Sequence, residues 1–251
     1  MNASLLPLFV GAPLLAAGVA AFAGRRYRWP SVLLVVVLAA DTVAAAGLVA
    51  ATSGGQVYAE AVGGWPGGVS IPFVADVFSA LVMTVAGGLT LVSCWFALVS
   101  GTGRHPLFAP LVLVLIAGVN GALLTADLFN LFVFIEVMLL PSYGLLVLAQ
   151  KGKGTLRSVI GSRLYVTFNL FVSTVFLAGV ALVYGTAGTV NLAELSDAAA
   201  ESDLTAAAVA VCLFALAMKA AVVPVHGWLA RAYPATSPAV GVTCRASSAP
   251  C

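Results

Sequence analysis

Apolar runs of roughly bilayer length recur along this chain, separated by short charged or glycine-rich segments. They cover residues 4–23, 31–51, 73–99, 107–126, 125–148, 159–184 and 204–229. Within each run the apolar residues are continuous, without the strict alternation of a lipid-facing barrel strand. A helix needs about 20 such residues to cross a bilayer. The pattern therefore predicts seven transmembrane helices, the fifth kinked by Pro141 and the seventh broken at Pro224. Residues 52–72 (Gly-rich, with Gln56, Glu60, Trp65 and Pro66) and 185–203 (with Glu194, Asp197, Glu201 and Asp203) read as loops on one side.

Composition agrees. The chain is 62% hydrophobic and 8% charged, against about 25% charged in soluble domains. So few charges cannot cover a soluble domain of 251 residues. Only helices and closed barrels satisfy the backbone in lipid, so the fold class is an all-α polytopic membrane protein. A net charge of +2 gives no nucleic-acid signal. Cysteines at 94, 212, 244 and 251 have neither CxxC nor metal-ligand spacing, and Cys94 and Cys212 read as small hydrophobes. No dinucleotide fingerprint, metal cluster or haem motif occurs, so no cofactor is implied.

Charge placement sets an orientation. Arg25, Arg26, Arg28, Arg104, Lys151, Lys153, Arg157 and Arg231 fall on one side, with Arg163 near that interface, and the two loops opposite hold no Lys or Arg. The positive-inside rule then puts the N-terminus outside. The first run ends at a signal-like Ala21-Phe22-Ala23, but no positive charge precedes it, which suits an uncleaved helix.

Several ionisable residues interrupt the runs. Glu136 lies nine residues after Asp127, about 14 Å along a helix and so near the midplane. An acid there costs roughly 2.5–3.5 kcal/mol on insertion scales. That cost marks a proton- or ion-site candidate, or a neutral carboxyl kept for packing. Lys219 lies in the seventh run just before Pro224, where freed carbonyls resemble the discontinuous helices of transporter ion sites. His226 follows the proline and either titrates near neutral pH or bonds a freed carbonyl. Glu136 and Lys219 would suit a coupled pair, each favouring the other's charged form. Asp41, inside the second run, has no evident partner. In the sixth run Arg163 and Thr167, then Asn169 and Ser173, recur at i, i+4. This polar stripe lines a hydrated path or bonds neighbouring helices.

The stretches TADLFNLFVFIEVMLLPSYGLLVL and AMKAAVVPVHGWLARAYPATSPAV, with GGWPGGVSIPFVADVFSALV before the third run, resemble the antiporter-like subunits shared by Mrp-type cation/proton antiporters and respiratory complex I. The wording around Glu136 is most similar to the Mrp D subunit. The resemblance implies that Glu136 and Lys219 are proton-pathway residues, with His226 matching the family histidine after the broken helix. It implies a proton-conducting component of a multisubunit Na⁺/proton antiporter in the plasma membrane, partnered by other membrane subunits. Proton-translocating membership of an NADH:quinone oxidoreductase or hydrogenase-type complex is the alternative, and a non-functional fragment or scaffold the third reading. The resemblance runs to about residue 240. Beyond it, family members continue with a further lysine-bearing helix and a second, inverted repeat. Residues 241–251, GVTCRASSAPC, are expected to be a non-family tail from a frameshift or truncation, and residues 1–240 an incomplete first repeat.

Overall fold

A computed structural model describes residues 3–22, 29–65, 70–149 and 156–232 of the chain. Arg25, Arg26, Arg28, Pro66, Lys151, Lys153 and the 241–251 tail lie outside the described residues, as do the side chains of Arg157 and Arg231. The architecture is helical. In chain order the helices are α1 (Leu8–Phe22), α2 (Trp29–Thr52), α3 (Val77–Val99), α4 (Phe108–Leu124), α5 (Leu128–Ala149), α6 (Leu156–Ala187), α7 (Leu192–Glu201), α8 (Asp203–Lys219) and α9 (Gly227–Ala232).

Five segments are long and apolar enough to cross a membrane: Ala3–Phe22, Trp29–Thr52, Val77–Val99, Leu128–Leu148 and Gly161–Ala187. The fourth and seventh expected runs fold as 17-residue helices, α4 and α8. Each is about 25 Å long, less than the ~30 Å hydrocarbon core. The reasons differ. α4 is buried on nearly every side, as an all-apolar helix at the centre of a bundle should be. It ends where the chain turns to bond Pro72. α8 stops at Lys219 and the chain resumes as α9, so the expected break in the seventh run is present. Pro141 sits inside α5, which continues across it.

The segment 52–72 holds more structure than a loop. Tyr58–Ala61 (β1) and Pro72–Ala75 (β2) pair antiparallel, with Glu60 opposite Phe73. Phe73 and Ala75 alternate inward, the period-2 burial that makes a short strand, and Phe73 packs on Phe134 at 5.9 Å. The backbone N–H of Ala126 donates to Pro72 O, and those of Leu128 to Val190 O and Leu192 to Ala126 O. One end of the bundle is thus tied across β2, the start of α5 and the start of α7.

Two apolar cores fill the interior. One lies among α1 to α4 and the other among α5, α6 and α8, joined along the α4–α5 contact. The contact depends on small residues, as membrane helix interfaces do. A Cβ built on Gly118 would lie 2.7 Å from the backbone nitrogen of Met138, and one on Gly121 would run into the Phe134 ring. The outer faces carry large apolar side chains, with Phe22 94%, Leu15 74% and Val43 72% exposed. Such a surface belongs against lipid tails. Hydroxyls that would otherwise be stranded bond back to their own helices, Thr42 to Leu38 O at 2.7 Å and Ser93 to Leu89 O at 2.6 Å.

Two predictions come from these contacts. Gly118→Ala forces a methyl against main chain that cannot swing aside. It should cost about 1–3 kcal/mol, read as a lower unfolding midpoint in detergent. The second concerns Asp76, whose carboxylate accepts from the Ser79 N–H at 2.7 Å in a capping box that starts α3. The Ser79 backbone N–H, above all, holds this carboxyl below the usual carboxylate range. The cap's charge-dependent contribution should be present above about pH 4 and be lost as pH falls through the lowered value. Asp76→Asn should flatten that dependence, while Asp76→Ala should cost about 1 kcal/mol at neutral pH. Thermal melts against pH for the three proteins check both.

Candidate functional site

The second core contains a line of polar side chains contributed by three helices. Asp127 immediately precedes α5, and its carboxylate accepts from the Asn130 N–H at 2.7 Å, while the Asn130 amide donates to Thr125 Oγ1 at 3.0 Å. From that fixed start the helix carries Glu136 to the middle of its span. Pro141 brings no N–H, so the carbonyl of Val137, beside Glu136, lacks its helical donor. α6 presents Ser173, buried to 5% exposure. α8 delivers Lys219 as its last residue.

These three groups meet. The Ser173 hydroxyl donates to Glu136 Oε1 and accepts from Lys219 Nζ at 2.8 Å. Lys219 Nζ itself stands 4.0 Å from Glu136 Oε1. The side chains of Lys219 and Glu136 are only 11% and 24% exposed. Two unit charges at that distance attract by about 4 kcal/mol at an effective dielectric of about 20, several times thermal energy. The serine hydroxyl sits between acid and base and bonds both.

The end of α8 is secured from below. The Trp228 indole N–H donates to Met218 O at 3.3 Å, and its ring stacks on Phe168 at 5.3 Å and lies 5.7 Å from Tyr165. Tyr165 meets Tyr143 edge-on at 5.5 Å, and Ser142 Oγ lies 3.1 Å from the Tyr165 hydroxyl. The Tyr143 hydroxyl, seven residues along α5 from Glu136, is buried without a hydrogen-bond partner. Close approach of α6 to α8 depends on Gly179, where a Cβ would lie 2.7 Å from Cys212 Sγ and 3.1 Å from the Cys212 nitrogen.

The other residues singled out from the sequence are placed variously. His226 is exposed in the segment before α9, beyond the end of the helix that carries Lys219. The polar stripe of α6 divides between two faces. Arg163 and Thr167 are exposed, whereas Asn169 and Ser173 are buried, and the Asn169 amide donates back to Tyr165 O at 2.9 Å. Six residues on an α-helix turn the chain about 240° from Arg163 to Asn169, so the two side chains stand on different faces. Asp41 does have a partner. The Asn120 amide nitrogen lies 3.0 Å from each of its carboxylate oxygens. Nothing in the apolar pattern marks Asn120 as a site residue; its signal is that it carries the strongest hydrogen-bonding side chain well inside the run 107–126. Ser173 is visible in the sequence only as part of the stripe.

The transmembrane family described as NADH:quinone oxidoreductase/Mrp antiporter matches residues 125–249, the half that contains Glu136, Ser173 and Lys219. The D subunit of a probable K(+)/H(+) antiporter of Rhizobium meliloti is 41% identical over 186 residues, which is 71% of this chain and 33% of that protein. The D subunit of the Na(+)/H(+) antiporter of Alkalihalophilus pseudofirmus is 39% identical over 177 residues, 68% of this chain and 35% of that protein. Among solved structures, a chain of the Mrp complex from Dietzia sp. DQ12-45-1b matches with TM-score 0.92 and 54% identity, over 95% of this chain and 45% of that one. The chain spans less than half the length of each of these proteins.

Trp228→Phe tests how the site's floor is held. It keeps the ring stack but removes the donor to Met218 O, and should lower stability by about 0.5–1.5 kcal/mol. Hydrogen exchange should quicken first at the α8 terminus around Lys219. Exchange unchanged there would mean that the indole bond does not hold the end of this helix.

Proposed function

Because the chain belongs to the NADH:quinone oxidoreductase/Mrp antiporter transmembrane family, and resembles the D subunits of its Mrp members, we propose that it conducts protons within a multisubunit monovalent cation/proton antiporter. It is a multi-pass protein of the plasma membrane. Its partners are other membrane subunits of the complex. The cation exchanged is monovalent, and Na⁺ and K⁺ both stand in the names of its relatives.

The observation that carries this reading is the chain Lys219–Ser173–Glu136. Lys219 passes a proton to Ser173 Oγ while Ser173 passes its own to Glu136, leaving a neutral amine, an unchanged hydroxyl and a neutral carboxylic acid. The reverse shift restores the ion pair. A proton arriving at Glu136 from one side weakens the hold on Lys219, which then releases its own more readily. The Val137 carbonyl, beside Glu136, and the exposed His226 are the groups we assign to the continuation of the path.

The test uses the assembled complex in inverted membrane vesicles, with cation-driven proton movement followed by a pH-sensitive dye. Glu136→Gln and Lys219→Ala should each reduce the signal to background while the complex still assembles. Ser173→Ala should slow it about tenfold, equivalent to about 1.4 kcal/mol of barrier, and Ser173→Thr should recover most of the loss. Full activity in Glu136→Gln would refute the relay and favour a scaffold role.

A further inference from the structure

The first four helices enclose a second carboxylate that the proton relay does not use. Asp41 lies near the middle of α2, about 18 Å from the Trp29 end, and is 9% exposed. Among the described residues it takes part in no ion pair; the pair that forms there joins Lys219 to Glu136. Its hydrogen-bond donor is the Asn120 amide, which reaches it from α4 and is itself fully buried. A carboxylate has about four acceptor sites, and a single amide nitrogen fills few of them. A buried carboxyl so thinly supported stays ionised only with a counter-charge and is otherwise protonated.

A third helix supplies another oxygen. Pro13 in α1 has no N–H, so the carbonyl of Phe9, four residues earlier, has lost its helical donor. That carbonyl points to the same place, accepting from Asn120 Nδ2 at 2.9 Å. Three oxygens, from Phe9, Asp41 Oδ1 and Asp41 Oδ2, therefore converge at 2.9–3.0 Å on one nitrogen that carries only two hydrogens. The oxygen of the same amide, Asn120 Oδ1, is buried without any partner. Turning the amide over would bring that oxygen among the other three, and would take the nitrogen away from the acceptors it now serves. Four oxygens facing one another repel unless a cation lies between them.

We infer that Phe9 O, Asp41 and Asn120 form a binding site for a monovalent alkali cation, with the Asn120 amide as its switchable member. The donors are all hard oxygens, which suit alkali and alkaline-earth ions rather than transition metals. One carboxylate in an apolar core balances one unit of charge, and a divalent ion would leave a net positive charge there. In the cation-free form the amide nitrogen occupies the focus of the oxygens. When the cation enters, the Asn120 side chain withdraws from that focus and turns, so that the cation lies among the three oxygens and the amide oxygen becomes the fourth ligand. The site belongs to the α1–α4 half and is separate from the residues of the relay.

The experiment uses the full chain in lipid nanodiscs, titrated with NaCl or KCl against choline chloride at constant ionic strength and without a proton gradient. The unfolding midpoint should rise saturably with one of the two alkali cations. The infrared carboxylate bands should shift over the same concentrations, a reading that needs no variant. Asp41→Asn should abolish both responses. Pro13→Ala gives the Phe9 carbonyl back a helical donor in a better helix former, and should weaken binding about tenfold without unfolding the chain. Midpoints that are the same in NaCl, KCl and choline chloride would overturn the site, as would infrared shifts that survive Asp41→Asn. Equilibrium binding is read without proton flux, so a failure here stands apart from a failure of the Glu136–Lys219 relay.

Discussion

Neither a carboxylate nor an ammonium is tolerable alone inside an apolar bundle, and the second half of this chain is arranged around keeping the two together. Glu136 and Lys219 lie 4.0 Å apart, linked through the Ser173 hydroxyl. Removing either one would leave an uncompensated buried charge, which costs several kcal/mol. The partners come from α5, α6 and α8, so the charges act as a constraint on how those helices pack. Gly179 lets α6 approach α8 closely enough for Ser173 to reach Lys219. Trp228, folded back from α9, caps a carbonyl at the end of α8 and holds the lysine's helix terminus in place. The apolar core around them supplies the low dielectric in which the pair is strong, and the pair supplies the register in which that core closes.

Helix breaks serve the same end. A helix in lipid satisfies its own backbone, so a proline or a helix end inside the bundle leaves a carbonyl for something else to use. At Pro13 the freed carbonyl of Phe9 is taken by Asn120. At the end of α8 the carbonyl of Met218, which accepts from the Ala221 N–H at 3.1 Å, also accepts from the Trp228 indole. In both places the irregular backbone lies beside an ionisable residue, Asp41 in one half and Lys219 in the other. Straight, uninterrupted helices would have offered no polar groups at these depths.

Much of this is legible in the sequence, because the signals are costly ones. Glu136 and Lys219 stand out since a charge in an apolar run demands a partner, and the partner is there. The break after Lys219 is legible from Pro224. What the sequence hides is either cheap or cooperative. Ser173 and Asn120 are uncharged, and a single hydroxyl or amide in a membrane helix is ordinary; only the packing of α6 against α8, and of α4 against α1 and α2, reveals what they bond. The hairpin of β1 and β2 is hidden because Gly-rich composition dominates residues 52–72, while its alternation extends over only four residues. Composition groups Arg163 with Asn169, but helical rotation puts them on different faces. Hydropathy overstates the lengths of α4 and α8, because it continues past the points where α4 turns toward β2 and α8 ends at Lys219.

The two buried carboxylates also differ in a way that bears on coupling. Glu136 has its counter-charge built into the chain, with Lys219 Nζ 4.0 Å away. Among the described residues Asp41 has a neutral amide as donor and no counter-charge, so when ionised it must be balanced by something that comes from outside. The first arrangement suits a group that hands protons on, because the pair can exchange a proton without importing charge into the core. The second suits a group that binds and releases an ion, because occupancy alone decides whether the core is neutral. α4 packs against α5 through Gly118 and Gly121, with main chain and an aromatic ring in direct contact. A rotation of the Asn120 amide on α4 therefore occurs on the helix that abuts Glu136's own, within a contact too tight to absorb movement silently. That shared interface is the physical route by which filling one site would be felt at the other.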